Sequence, residues 1–317
     1  MADFTRELLD RPALSAASMV ALAHLDDATA AAARLSDRKD PEALHDFRVA
    51  IRRLRSALRA YPTLREHVPG KQRRRLRKLA RTTNSAREAE VQIAWFRDRS
   101  PRFTLSERAA LGPLRGRLRA RRRRAVAATQ PKLQERFGKL ERKLRRRLIA
   151  LQSDAGSHEA QFRTVAAATL VRHANDLKRR FGAVVPASGP AELHAARIAA
   201  KRLRYLLEPL ASSLAHGRPL VLRLKELQDL FGALTDAHEL EPLLKEAGAG
   251  AAPAANLLRN EVAALFTQLR DEWSEAGPEL EREVEAAARQ LRPARKTPPA
   301  PPRRRRLRRG VVGDFAP

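Results

Sequence analysis

The feature that most constrains the fold is a long internal repeat. A shift of 149 residues carries Leu44-His45 onto Leu193-His194 and continues without a gap. Six identical pairs follow in the next helix: Arg48 and Arg197, Ala50 and Ala199, Arg53 and Arg202, Leu54 and Leu203, Arg55 and Arg204, Leu58 and Leu207. Solenoid repeats are only about 20 to 50 residues long, so each unit is the size of a helical bundle. We therefore predict two similar halves, near residues 13–150 and 158–292, related by pseudo-twofold symmetry.

The composition predicts that both halves are all-α. Ala, Leu, Arg and Glu dominate nearly every window, whereas aromatic residues make up only 4% of the chain. These common residues favour helices, and the pattern lacks the alternation of strands. Turn residues separate helix-length segments, and Gln130-Pro131 predicts one such boundary. No stretch approaches the roughly 18 apolar residues of a membrane-spanning helix.

The charge of the chain predicts an anionic partner. There are 64 Lys and Arg against 36 Asp and Glu, a net charge of +28, while 43% hydrophobic residues are enough to fill a core. The chain has no cysteine, which excludes disulfide frameworks and thiolate metal sites and suits a cytoplasmic protein. A folded polycation of this kind is typical of proteins that bind polyanions.

The repeated helix carries an apolar face beside a cationic one. Apolar residues recur three and four positions apart, as on a helix that packs against a core, at Leu44, Phe47, Ile51, Leu54 and Leu58. One position further on runs a row without carboxylates: His45, Arg48, Arg52, Arg55 and Arg59. The second half repeats this row with His194, Arg197, Lys201 and Arg204, and Glu208 ends it. Adjacent cations are about 5 Å apart along the axis, which suits closely spaced phosphates.

These segments resemble the conserved histidine α-helical domain (CHAD) family. Residues 44–55 are similar to its first signature helix, residues 193–205 to its second, and residues 224–232 with Asp236 to the segment that follows. The first half departs from the family in having Arg87-Glu88 where an Arg-Asp pair is usual. The resemblance spans roughly Ala13 to Arg292, within a predicted domain of residues 1–292. It implies two four-helix bundles related by a pseudo-twofold axis around a basic central groove or channel. It also implies binding of inorganic polyphosphate.

The predicted polyphosphate-binding residues combine the two rows with neighbouring repeated cations. They are His45, Arg48, Arg52, Arg53, Arg55, Arg59, His194, Arg197, Lys201, Arg202 and Arg204, with Arg77 and Lys225 in second rank. We predict no catalytic residue, metal ligand or cofactor, because no phosphate-binding loop, zinc-binding histidine pair or nucleophile elbow occurs. We therefore expect a non-enzymatic protein at polyphosphate granules, in which acids such as Asp236 and Glu88 hold arginines in position. The pattern leaves the oligomeric state open.

The main alternative is nucleic-acid binding. The pI of about 11.6 fits a phosphate-backbone binder. Residues 293–317 form a Pro- and Arg-rich tail that we predict to be disordered. This tail could bind nucleic acid or another acidic partner and tether a granule to DNA. In residues 1–292, however, the few aromatic residues offer no obvious platform for stacking bases.

Overall fold

A computed structural model of the chain describes residues 6–37, 40, 42–153, 160–185 and 188–292. Over these residues the chain is all-α, as predicted, and no strand forms. The helices are α1 (Glu7–Asp10), α2 (Ala13–Arg34), α3 (Ala43–Ala60), α4 (Pro62–His67), α5 (Gly70–Thr82), α6 (Asn84–Arg99), α7 (Leu105–Ala110), α8 (Gly112–Ser153), α9 (Phe162–Gly182), α10 (Pro190–Leu207), α11 (Gly217–Glu246) and α12 (Ala252–Leu291). Short 3-10 turns lie at Ser100–Arg102, Glu208–Ser213 and Ala249–Ala251.

The helices of each predicted half pack mainly among themselves. In the first half, α2 contacts α3 and α8, and α8 also contacts α5 and α6. In the second half, α9 to α12 form a ring in which each helix contacts the next and α12 contacts α9. The halves meet where α3 contacts α10, α2 contacts α9 and α6 contacts α11. The pseudo-twofold relation between two four-helix bundles stays a prediction.

The apolar faces of the repeated helices form the core, as the spacing predicts. Phe47, Ile51 and Leu54 of α3 are buried, and so are Leu193 and Leu203 of α10. This burial turns the adjacent cationic rows toward the α3–α10 contact rather than into the core, because the 3.6-residue repeat places them about 100° away. The contact between the halves therefore positions the candidate site.

Some predicted boundaries differ from the structure. The break expected at Gln130-Pro131 is wrong, since α8 continues through both residues. A proline inside a helix costs about 3 kcal/mol, but buried residues along the length of α8, including Leu118, Leu133 and Leu144, offset that cost. The predicted junction between the halves covers residues 151–157, but α8 continues to Ser153. Residues 154–157 and the predicted tail at 293–317 lie outside the described residues.

Candidate anion-binding site

The cationic rows of α3 and α10 face each other across the contact between the halves. Burial lowers the pKa of Arg52 on α3, and the charges of Arg197 and Arg204 on α10 lower it further, against an opposite effect of Tyr205. No described carboxylate lies within 4.0 Å of Arg52. Arg52 is therefore close enough to the α10 arginines to be repelled by them, and no acid contacts Arg52 itself.

Helix α6 adds Arg87, which the sequence analysis did not include among the site residues. Burial lowers the pKa of Arg48 to about 10, and the nearby charges of Arg52 and Arg87 contribute to this shift. The Arg48 side chain is held at the α5–α6 junction, where Nη1 donates to Thr83 Oγ1 and, at 3.4 Å, to Asn84 Oδ1. Arg87 could have been recognised from its place in the Arg87-Glu88 pair, which matches a family position.

Helix α5 extends the cationic surface at Arg55. Burial lowers the pKa of Arg55, followed by the charges of Arg77, Arg59 and Arg81. The structure thus brings the second-rank candidate Arg77 to the row, together with Arg81, which the sequence analysis missed. The spacing of four residues between Arg77 and Arg81 is the signal that could have found it, because such residues share a helix face.

Lys201 is the most strongly perturbed cation of the second row. Burial, followed by the charges of Arg197 and Arg52, lowers its pKa to about 6, whereas Asp236 acts in the opposite direction. The ammonium therefore loses its proton near neutral pH in the free protein, because charging it would place another cation in a crowded, desolvated position.

Arg197 is held against α11. Its Nη1 lies 3.9 Å from Asp236 Oδ1, and its Nη2 would be 3.4 Å from a Cβ placed on Gly232. A Cβ at residue 232 would make ordinary van der Waals contact with the guanidinium, which therefore packs directly against this turn of α11. The Nε atoms of Arg52 and Arg197 are both buried and have no hydrogen-bond acceptor among the described residues. Buried donors normally have partners, so these two atoms identify places where an acceptor is missing.

The histidines at the head of each row are close to this surface. Burial lowers the pKa of His45, with further lowering by Arg87 and Arg52. Burial also lowers the pKa of His194, with further lowering by Arg197 and Lys201. Both imidazoles are therefore neutral at pH 7 in the free protein and can donate one hydrogen bond each.

Two predicted site residues are instead engaged by one buried carboxylate. Arg53 Nε lies 2.7 Å from Glu208 Oε2, and Arg204 Nη1 lies 3.1 Å from Glu208 Oε1. Burial alone would lower the pKa of Arg53, but the hydrogen bond and charge of Glu208 outweigh it and raise the pKa. The Arg204 guanidinium also lies over the Tyr205 ring, 4.7 Å from its centroid. We call these four residues the Glu208 cluster.

The remaining predicted residues lie at the end of the α3 row or outside the central rows. Arg202 is 4.0 Å from Asp176 Oδ2 on α9, and the exposed Arg59 lies near it. The exposed Lys225 pairs with Asp229 at 2.9 Å on α11. The sequence comparison aligned Lys225 with Arg77, and both were second-rank candidates. In the structure, Asp229, one helical turn after Lys225, neutralises the lysine.

Acidic residues near the site hold arginines, as the sequence analysis expects. Glu88 Oε2 is 2.7 Å from Arg121 Nη2, and Asp46 Oδ2 is 2.7 Å from Arg34 Nη1. Burial raises the pKa of Asp236 in spite of the opposing charges of Arg197 and Lys201. Within the described ranges, no three His, Cys, Asp or Glu side chains cluster as metal ligands would.

We name the central surface the α3–α10 site. It consists of His45, Arg48, Arg52, Arg55, Arg87, His194, Arg197 and Lys201, with Arg77 and Arg81 at its edge. In the part of the chain that the structure describes, no helix has the length and apolar character needed to cross a membrane.

The fold is similar to two solved structures. The crystal structure of the CHAD domain from the plant Ricinus communis aligns with a TM-score of 0.59 at 23% identity, covering 92% of this chain and 98% of that one. PptA from Streptomyces chartreusis aligns with a TM-score of 0.63 at 17% identity, covering 84% of this chain and 100% of that one. A search of curated proteins found no match. Because the sequence profile of the CHAD domain matches residues 19–245, well over half of the chain, the protein belongs to the CHAD domain family.

Proposed function

We propose that the protein binds inorganic polyphosphate, without catalysis, at the α3–α10 site. The observation that carries this proposal is the crowding of cations from α3, α6 and α10 around buried arginine Nε atoms that lack acceptors. Such an arrangement is costly for the free protein, since like charges are desolvated together. A ligand that supplies many anionic oxygens removes that cost.

Polyphosphate fits this surface better than a small anion does. The cations follow two helices at intervals of about 5 Å, so a single phosphate could reach only a few of them. Arginine guanidinium groups stay charged and can bind phosphate oxygens in pairs. A flexible chain with a charge on every phosphate could satisfy both rows at once. Membership of the CHAD family, which is commonly linked to polyphosphate, supports the same choice.

The aromatic side chains support polyphosphate over nucleic acid. Tyr205 is covered by Arg204, and the Trp95 ring has Arg99 5.0 Å from its centroid. Trp273 stacks on Phe181 with centroids 4.0 Å apart. Proteins that bind single strands usually stack bases on accessible aromatic rings, and these rings already have partners.

We also propose that the site carries out no reaction and that the protein associates with cytoplasmic polyphosphate granules. The groups that converge at the site are arginines, a lysine and neutral imidazoles, which bind phosphoryl oxygens by charge and hydrogen bonding. Incubation with polyphosphate should leave its chain-length distribution unchanged. A fluorescently tagged full-length chain should colocalise with stained polyphosphate, and this colocalisation should weaken when the α3–α10 site is altered.

The test is a competition titration on the full chain at fixed, near-physiological salt. Long-chain polyphosphate, duplex DNA and single-stranded RNA compete for the wild type and for two double variants. R48Q with R197Q removes two site charges, whereas R119Q with R123Q removes two exposed charges from α8. We expect the site variant to lose about tenfold or more in polyphosphate affinity, because charge-assisted hydrogen bonds contribute about 1.5–3 kcal/mol each.

The matched control decides the interpretation. Equal losses in both double variants would reduce binding to general charge attraction and overturn the proposed site. Equal affinity of the wild type for all three polyanions would favour nucleic-acid binding instead. Salt is held constant because screening changes the affinity of any polycation for any polyanion.

A further inference from the structure

A second cluster of cations joins residues of α3, α9 and α10, and its sequence counterpart is the Glu208 cluster. The shift of 149 residues that relates the two halves carries Arg53 onto Arg202 and Arg59 onto Glu208. In the Glu208 cluster, Arg53 pairs with the Glu208 carboxylate at 2.7 Å. The corresponding pair is Arg202 on α10 with Arg59 on α3, so an arginine stands in the place of the carboxylate.

Both arginines of this second pair lie against α9: Arg202 Nη1 is 4.0 Å from Asp176 Oδ2, and the residue after Arg59 accepts a hydrogen bond from Arg172. Burial lowers the pKa of Arg202, and the charge of Arg59 is the next largest cause. No described carboxylate lies within 4.0 Å of Arg59. Arg172 completes the group, since its Nη2 donates to the backbone oxygen of Ala60 at 2.9 Å, one residue beyond Arg59. We call Arg59, Arg172, His173 and Arg202 the Arg59 cluster.

An open cleft on α9 lies beside this cluster and is lined by two of its members, Arg172 and His173, but not by Arg59 or Arg202. It has a volume of about 590 Å³ and is lined by residues of α9, among them Val171, Arg172, His173, Asn175, Asp176 and Arg179. This volume lies within the range of about 300–1,000 Å³ that is usual for ligand pockets. His173 Nε2 is buried and has no hydrogen-bond partner among the described residues. Burial, with the charges of Arg172 and Arg202, lowers the pKa of His173 to about 4.

Asp176 is the acid of this cleft, and its charge is largely compensated. Its Oδ1 lies 2.6 Å from Arg179 Nη2 and 3.0 Å from Arg180 Nε, whereas Arg202 is farther away at 4.0 Å. Two arginines of its own helix thus satisfy Asp176. Arg59 and Arg172 have no described carboxylate within 4.0 Å, and Arg202 has only its longer contact with Asp176.

We propose that the Arg59 cluster is a second anion-binding site, which takes one phosphate group in the position that the Glu208 carboxylate occupies in the other cluster. Arg59 and Arg202 bind the phosphate oxygens, and Arg172 and His173 line its entrance. The ligand is a phosphoanion with a free terminal phosphate, supplied either as a small molecule such as pyrophosphate or as the end of a longer chain. The inference goes beyond the proposed function, because the cleft can bind a phosphate whether or not the α3–α10 site binds polyphosphate.

The test is calorimetric titration of the full chain with pyrophosphate at fixed salt. We expect one saturable site that R59E weakens about tenfold or more, because the new carboxylate pairs with Arg202 and repels the ligand. R123E, an exposed reversal on α8, should change the affinity less than about twofold. In NMR spectra, pyrophosphate should shift the His173 ring signals of the wild type but not those of R59E.

Further binding measurements separate this proposal from the proposed function and identify the source of the phosphate. The R48Q/R197Q variant should keep wild-type pyrophosphate binding. Equal pyrophosphate affinity in R59E and R123E, or a loss only in R48Q/R197Q, would overturn the proposal. If R59E also weakens binding of polyphosphate with free ends, but not of polyphosphate with esterified ends, the chain end is the ligand. If R59E weakens only pyrophosphate binding, the ligand is a small phosphoanion. Unchanged folding of R59E, checked by circular dichroism, is required for each comparison.

Discussion

The Glu208 cluster and the Arg59 cluster are related in sequence but differ in charge. In the first, one buried carboxylate accepts hydrogen bonds from Arg53 and is in contact with Arg204. In the second, Arg202 lies beside Arg59, a further cation. A single difference between the halves, Glu in one and Arg in the other, thus separates a contact with a buried carboxylate from one in which Asp176, at 4.0 Å from Arg202, is the nearest described acid.

This comparison shows that repetition of a residue does not mean repetition of its role. Arg53 and Arg202 occupy equivalent positions of the repeat, yet only Arg53 pairs with a buried carboxylate at 2.7 Å. Arg55 and Arg204 are also equivalent in the repeat. Neighbouring arginines lower the pKa of Arg55, whereas Arg204 pairs with Glu208. We therefore expect the arginines of the Glu208 cluster to serve stability, whereas those of the Arg59 cluster and of the α3–α10 site are the ones proposed to bind a ligand.

The largest expected effect comes from breaking the Glu208 cluster. E208Q should lower the free energy of unfolding by about 3–5 kcal/mol, because removing one partner leaves Arg53 and Arg204 buried without a counter-charge. Chemical denaturation measures this change. E226Q, an exposed control on α11, should stay within about 0.5 kcal/mol of the wild type. A loss below about 1 kcal/mol for E208Q would show that the cluster does not support the fold.

Lys201 tests whether uncompensated cations cost stability. K201M should raise the free energy of unfolding by about 1–4 kcal/mol, the range seen when buried charges are replaced by apolar residues. Between pH 6 and 10.5 the unfolded chain holds a proton that folded Lys201, with a pKa of about 6, has lost. Stability of the wild type therefore rises with pH across this window. Denaturation at several pH values should show a weaker rise in K201M; parallel curves would contradict the assignment.

Converting the Arg59 cluster into a copy of the other one should give a smaller effect. R59E places a carboxylate near Arg202, and we expect a gain of about 0.2–1 kcal/mol, as for other exposed ion pairs. A double-mutant cycle with R202Q measures the coupling between the two positions. A coupling energy of zero would mean that residues 59 and 202 do not interact.

The smallest expected effect is the response to salt. Raising the salt concentration from 50 to 500 mM should stabilise the wild type by a few tenths of a kcal/mol more than R59E, as judged from denaturation midpoints. Salt screens the repulsion between Arg59 and its neighbours in the wild type, but in R59E it weakens an attraction. An identical response would show that Arg59 contributes no measurable repulsion.

Much of the architecture could be predicted because helix periodicity is local. The apolar stripe through Phe47 and Leu54 and the adjacent row through Arg48 and Arg52 follow from residue spacing alone. The helix boundaries depended on tertiary packing. For this reason α8 continues through Pro131, although proline locally disfavours a helix interior. The contribution of α6 to the site, through Arg87, required knowing which helices meet.

The sequence by itself determined the all-α class, the repeat, the two cationic rows and membership of the CHAD family, since each depends on residue order. Only the tertiary structure decided which cations are neutralised. Arg53 meets Glu208 across 155 positions of the chain, while Arg202 meets Arg59. The physical reason is that charge interactions depend on distance in space and on burial, and neither can be read from residues that lie far apart in the chain.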